Sequence, residues 1–138
     1  MKTLYTAIAT VSGGREGHVR SDDGLLDLDL RMPKGLGGPG GAGSNPEQLF
    51  AGGYAACFES AMRSVARKQK KPLADASVTG HVSFNVTDRG KYMLSVELHG
   101  KVDGLSHDEA EALMRAAHEV CPYSNATRGN IEVTLVAE

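Results

Sequence analysis

Residues 45–72 carry the start and stop signals of one long helix, and that helix limits what the rest of the chain can do. Asn45 can cap it, Pro46 suits the first helical position, and Glu47 lies at the positive end of the helix dipole. The helix is predicted to run to about Lys70. Its basic tail, Arg67, Lys68, Lys70 and Lys71, complements the negative end of the dipole, and Pro72 ends it. Phe50, Tyr54, Cys57, Ala61 and Val65 fall at helical spacing, which predicts that they face the core.

The remaining segments read as strands and one more helix. Residues 3–11 alternate like a strand. Residues 18–21 and 25–30 flank Asp22-Asp23-Gly24, and Asp-Gly between strands is a hairpin signal. Residues 76–87 and 91–102 read as two long strands around Asp88-Arg89-Gly90. Ser106-His107-Asp108-Glu109 is a capping box that opens a second helix through about Val120, with Leu113, Ala116, Ala117 and Val120 as its apolar stripe. Residues 131–136 are a last strand. The order β-β-β-α-β-β-α-β has hairpins in place of regular β-α-β alternation, so the expected class is α+β with antiparallel sheet. The 138 residues suit one domain, 1–138.

Between the first strands and the long helix lies KGLGGPGGAGS, in which residues 35–40 match G-x-G-x-x-G. A dinucleotide loop needs a strand directly before it, a helix starting inside it, and an acidic residue about 20 positions on. Here Pro33 precedes the loop, Pro39 interrupts it, and the helix starts only at Pro46. No Lys-Ser/Thr follows the glycines, so a P-loop fails as well. The loop is expected to be a close-packed connection and a mobile lid near the functional site. A formal net charge of −2 gives no basic field for nucleic acid or anionic membrane. No apolar run approaches a membrane span, and the N-terminus lacks the unbroken apolar core of a signal peptide. A cytoplasmic location is the expectation.

In that compartment the two cysteines, Cys57 and Cys121, are catalytic, redox-active or inert and buried rather than a structural staple. On the helix, Cys57 reads equally as a small buried hydrophobe. Cys121 stands before Pro122, where a chain turn can present a thiol. Two thiols suit a peroxidatic and resolving pair if the fold brings them within disulfide reach. Arg15, in a Gly-Gly-Arg turn, could favour a thiolate, or could simply be solvated. Glu47 could hold Arg15 through a bidentate pair, or serve only the helix dipole. His118-x-x-Cys121 has ligand spacing for zinc, but no C-x-x-C or H-E-x-x-H accompanies it, so no metal is expected. A cysteine hydrolase with His118 as base would need an orienting group and an oxyanion hole that the sequence does not place.

The two cysteine motifs, SNPEQLFAGGYAACF and VCPYSNATRGNIEV, resemble the organic hydroperoxide resistance (Ohr) branch of the Ohr/OsmC family. The likeness extends over the Gly-Gly-Arg turn, the hairpin and the Gly-rich loop. Ser44 stands where threonine is common, and Gly52-Gly53 where an Ala-Gly pair is common. The resemblance implies a thiol peroxidase without metal or prosthetic group. Cys57 would be the peroxidatic thiolate, Cys121 the resolving thiol, and Arg15 with Glu47 the activating pair. It implies organic hydroperoxides, lipid-derived ones included, as substrates and a lipoylated protein or dihydrolipoamide as reductant. It also implies an intertwined homodimer with curved antiparallel sheets packed around a long central helix. Leu36, Phe50, Tyr54, Phe58 and Tyr123 are the candidate substrate-binding residues. The alternative is a non-catalytic redox-sensing dimer that uses the same cysteine pair.

Glu47 and Cys57 are ten residues apart, about 15 Å of rise on a straight helix. A carboxylate does not span that gap. Either the helix breaks near Gly52-Gly53, or Glu47 and Cys57 of one site come from different chains of a dimer.

Overall fold

The computed structural model describes residues 1–138, and they divide into two compact units, Met1–Leu49 and Phe50–Glu138. The class is α+β, as the hairpin-rich order predicts.

The first unit is a three-stranded antiparallel sheet in the order β1 (Ala9–Ser12), β2 (His18–Ser21), β3 (Asp27–Asp29). Val19 pairs with Val11 on one side and Leu28 on the other. The expected strand at 3–11 is shorter than the alternation suggests. Its ladder to β2 begins only at Ala9, next to a last bond from the Asp22 amide to the Ile8 carbonyl where the chain turns, and residues 1–8 lie exposed. Gly24 turns the β2–β3 hairpin with φ of 75°, a conformation that favours glycine.

The Gly-rich loop is tied to itself. The amides of Gly37, Gly38 and Gly40 donate to the carbonyls of Lys34, Pro33 and Met32. A phosphate cradle needs such amides pointing outward and free, so the nucleotide reading has no support here.

The long helix α1 (Pro46–Lys68) is continuous through Gly52 and Gly53. Asn45 caps it as expected: its Oδ1 accepts from the Gln48 amide at 2.9 Å. Beyond its end, Lys70 adopts φ of 58° while the Lys71 amide bonds back to the Ala66 carbonyl. Both features close a helix C-terminus.

In the second unit β4 (Ala76–Val86) and β5 (Tyr92–Val102) form an antiparallel hairpin, with Val82 opposite Val96 and Gly80 opposite Leu98. The capping box at Ser106 opens α2 (His107–Val120), followed at once by the short helix α3 (Pro122–Thr127) and by β6 (Val133–Ala137). β6 pairs with β5 in parallel, a correction to the all-antiparallel expectation. A parallel neighbour requires a crossover, and α2 with α3 supplies it.

The core lies between the helices and the inner sheet face. Tyr54, Phe58, Met62 and Ala66 of α1 meet Val96, Leu98 and Val102 of β5, and Ala110, Leu113, Met114 and Ala117 of α2. The approach is close where glycines replace side chains. A Cβ at Gly80 would sit 2.9 Å from the Ala51 carbonyl oxygen, and one at Gly100 would sit 2.7 Å from the Met114 sulfur.

Both helical stripes are rotated by about one residue from the expected ones. On α1 the fully buried positions are Tyr54, Phe58 and Met62, and Cys57 is only half-buried at the margin. On α2, Met114 replaces Val120, which is 49% exposed. No helix is long and apolar enough to cross a membrane.

Candidate active site

The first unit holds one of the expected groupings. Gly13 and Gly14 both have positive φ, and the 3₁₀ turn Gly14–Glu16 that follows carries Arg15. Its guanidinium donates to Glu47 through both terminal nitrogens, Nη1 to Oε2 at 2.8 Å and Nη2 to Oε1 at 2.6 Å. Their side chains are 28% and 16% exposed. Paired hydrogen bonds of this kind orient both partners. Hydrogen bonding from Arg15 holds the Glu47 carboxyl below its ordinary range, and Glu47 in turn pushes Arg15 up. The pair is therefore fully ionised at neutral pH. Leu36 lies in the same unit, half-buried in the 3₁₀ turn Lys34–Leu36.

The second unit holds the thiols. Cys57 Sγ and Cys121 Sγ are 3.5 Å apart, both as free cysteines. Cys121 is fully buried at the joint where α2 ends and α3 begins. Pro122 occupies the first position of α3 and has no N–H, so the Tyr123 amide is the first donor that helix presents. It donates to Cys57. Burial pushes the Cys57 thiol up, the Tyr123 N–H pulls it down, and the Cys121 thiol pushes it up again. Within this unit the balance of these influences lies on the side of the thiol, and a nearby cation would favour the thiolate.

Phe50 and Tyr123 meet edge to face, with centroids 6.3 Å apart. Together with Met93, Leu94 and Ile131 they line a cavity of about 710 Å³. Cys57 opens instead into a second cavity of about 590 Å³, and Pro122 borders both. Tyr54 and Phe58, expected as pocket residues, are fully buried in the core. They belong to the core cluster shared with β5 and α2, so they present no surface to a ligand.

The sequence reading missed three things. It did not find α3, because six residues after a proline carry no periodicity. It did not find the Tyr123 amide, for which Pro122 directly after a cysteine was the available signal. It also weighed His118 only as a ligand or base, whereas the Nδ1 of this half-buried side chain lies 2.8 Å from Oγ of the fully buried Ser124.

Comparison with known proteins is consistent across most of the chain. The profile of the OsmC-like protein family matches residues 38–136. An organic hydroperoxide resistance protein of Xanthomonas axonopodis pv. citri is 52% identical over 135 residues, spanning 97% of this chain and 94% of that protein. The organic hydroperoxide resistance protein OhrB of Bacillus subtilis is 47% identical and spans 96% of each. A crystal structure of an organic hydroperoxide resistance protein OsmC from Legionella pneumophila superposes with a TM-score of 0.93 at 59% identity, over 99% of both chains.

Proposed function

The chain belongs to the OsmC-like family, and on that footing we propose that it is a cysteine-based peroxidase that reduces organic hydroperoxides in defence against oxidative stress, acting in the cytoplasm. The observation that carries this reading is the 3.5 Å separation of the two free thiols. A disulfide requires the sulfurs to approach by only about 1.5 Å more.

The chemistry follows from the two sulfurs. The Cys57 thiolate attacks one peroxide oxygen, the O–O bond breaks, and the alkoxide takes a proton and leaves as alcohol. Cys57 becomes a sulfenic acid. Cys121 then attacks that sulfur, and hydroxide leaves with the Cys121 proton as water. A lipoyl dithiol, on a lipoylated protein or as dihydrolipoamide, restores both thiols by exchange. No metal or prosthetic group takes part. The apolar cavity beside Tyr123 is suited to the alkyl part of a substrate.

Activation needs a cation at Cys57, and Arg15 held by Glu47 is the candidate. Because α1 is unbroken through Gly52 and Gly53, the broken-helix route to joining Glu47 and Cys57 falls away. We therefore assign the site to a homodimer, with Arg15 and Glu47 of one copy acting at Cys57 of the other and two equivalent sites per dimer.

Steady-state consumption of tert-butyl hydroperoxide and of hydrogen peroxide, with dihydrolipoamide as reductant, tests the activity. Many turnovers, faster with the organic peroxide and abolished in Cys57→Ser, are expected. At most one peroxide consumed per subunit would replace this reading with the redox sensor. Mixing inactive Cys57→Ser with inactive Glu47→Ala subunits tests the shared site. Recovered activity is expected, and none under confirmed subunit exchange would refute it.

A further inference from the structure

Beneath the thiols, four polar side chains form one continuous hydrogen-bonded chain. His118 Nδ1 lies 2.8 Å from Ser124 Oγ. Ser124 Oγ lies 2.8 Å from the Tyr54 hydroxyl, and that hydroxyl lies 3.0 Å from Thr127 Oγ1. Thr127 Oγ1 is 3.3 Å from the Ser124 carbonyl oxygen. Tyr54 and Ser124 are completely buried and Thr127 nearly so.

A carbonyl oxygen only accepts, so Thr127 donates wherever it bonds the Ser124 carbonyl. Each hydroxyl has a single hydrogen and can also accept. The Ser124–Tyr54 and Tyr54–Thr127 bonds therefore form with either partner donating, and His118 Nδ1 donates to or accepts from Ser124 according to its tautomer. The chain is satisfied in either sense, and no buried side-chain polar atom is left without a partner. Burial, and then the charge of Arg128, disfavour the charged form of His118.

The members of this chain sit where the thiols are set. His118 is on α2, three residues before Cys121. Ser124 and Thr127 are on α3, and Tyr54 is on α1, three residues before Cys57. The chain therefore ties together the three helix segments that place the two sulfurs.

We propose that the His118–Ser124–Tyr54–Thr127 chain is a positioning device for disulfide closure, seating α3 on α1 so that Cys121 stays within reach of Cys57. The inference rests on the peroxidase reading. Its members touch no reacting atom; they act through the placement of Cys121. The step they serve is the second one: Cys121–SH and Cys57–SOH form the S–S bond, the S–O bond breaks, and water leaves. Holding the partners in place raises their effective concentration. When closure is slow, a second peroxide molecule oxidises the sulfenic acid to sulfinic acid. The chain would therefore also protect Cys57 from irreversible oxidation.

The test uses the full-length reduced protein and one equivalent of tert-butyl hydroperoxide. Samples are quenched at intervals with dimedone, which captures sulfenic acid, and analysed by mass spectrometry. Ser124→Ala breaks the chain at its centre, Thr127→Val removes its end, and His118→Asn keeps an amide that can donate or accept near the Nδ1 position. Ser124→Ala and Thr127→Val should oxidise at Cys57 as fast as wild type but close the disulfide about tenfold more slowly, the factor for losing one ordering hydrogen bond. They should accumulate sulfinic acid under excess peroxide, and His118→Asn should close like wild type. Closure within about twofold of wild type in both folded breaking variants would overturn the proposal. So would equal slowing of the first step, or failure of His118→Asn to rescue. If Ser124→Ala does not fold, Thr127→Val carries the same test. Wild-type protein whose Cys57 takes up no peroxide refutes the peroxidase reading instead, whatever the variants do.

Discussion

The same substitution, glycine to alanine, should change stability in opposite directions at Gly52 and Gly80. Gly52 lies inside α1 on an exposed face, and an added Cβ meets nothing within 4 Å. Alanine there removes the entropic cost of glycine in a helix and should stabilise by about 0.8–1 kcal/mol. Gly80 lies on the inner face of β4, where a Cβ would stand 2.9 Å from the Ala51 carbonyl oxygen and 3.5 Å from its carbonyl carbon and Cα. Those atoms are helix backbone and cannot swing aside, so α1 must move off the sheet. Overpacking of this kind costs about 1–3 kcal/mol. At roughly 2.1 cal/mol/K per residue, the 138-residue chain has an unfolding entropy near 0.3 kcal/mol/K, which gives about +3 °C for Gly52→Ala and about −3 to −10 °C for Gly80→Ala. Thermal unfolding under reducing conditions, at one protein concentration because any self-association makes the midpoint concentration-dependent, measures both. Shifts of the same sign would refute the reasoning. A loss at Gly52 in particular would mean that another copy fills the space beside that face.

Further outcomes follow from the charges and thiols. Hydrogen bonds donated to the carboxylates of Glu97 and then Glu138 raise the His99 pKa above its ordinary 6.5. NMR titration should show it high and moving back toward 6.5 in Glu97→Gln. The stabilisation from His99 is complete below 6.5 and fades as pH rises through its folded value. His118 should titrate below 6.5, so its contribution is present above 6.5 and is lost as pH falls through its folded value. Glu47→Gln should cost about 1 kcal/mol in urea unfolding at pH 7. Because the Glu47 carboxyl sits below its ordinary 4.5, that difference should hold above pH 4.5 and vanish as wild-type Glu47 protonates in acid. Cys121→Ser treated with one equivalent of hydroperoxide should stop at a dimedone-reactive Cys57, and an unreactive Cys57 would count against its peroxidatic role.

Much of the architecture was legible because its signals are local. Asn45, Pro46 and Pro72 bound a helix through their own backbone chemistry. Asp88-Arg89-Gly90 reverses the chain, and Ser106 with Glu109 caps α2 whatever surrounds it. Each acts within a few residues, so each can be read from the chain alone. Cys57, Cys121, Arg15 and Glu47 stood out for the same reason, by residue type, motif and resemblance to a known family. The bidentate form of the Arg15–Glu47 pair was one of two readings that residue chemistry left open, and the folded chain decided between them. What could not be read locally depended on which surfaces meet. The buried stripe of α1 is set by the sheet it packs on, which sends Tyr54 and Phe58 into the core and leaves Cys57 at its margin. β6 runs parallel because the α2–α3 crossover delivers it that way. The 3.5 Å approach of two sulfurs 64 residues apart, and the hydroxyl chain beneath them, exist only once three helix segments converge. Caps and turns are properties of consecutive residues, whereas faces, registers and long-range distances belong to the packed core as a whole.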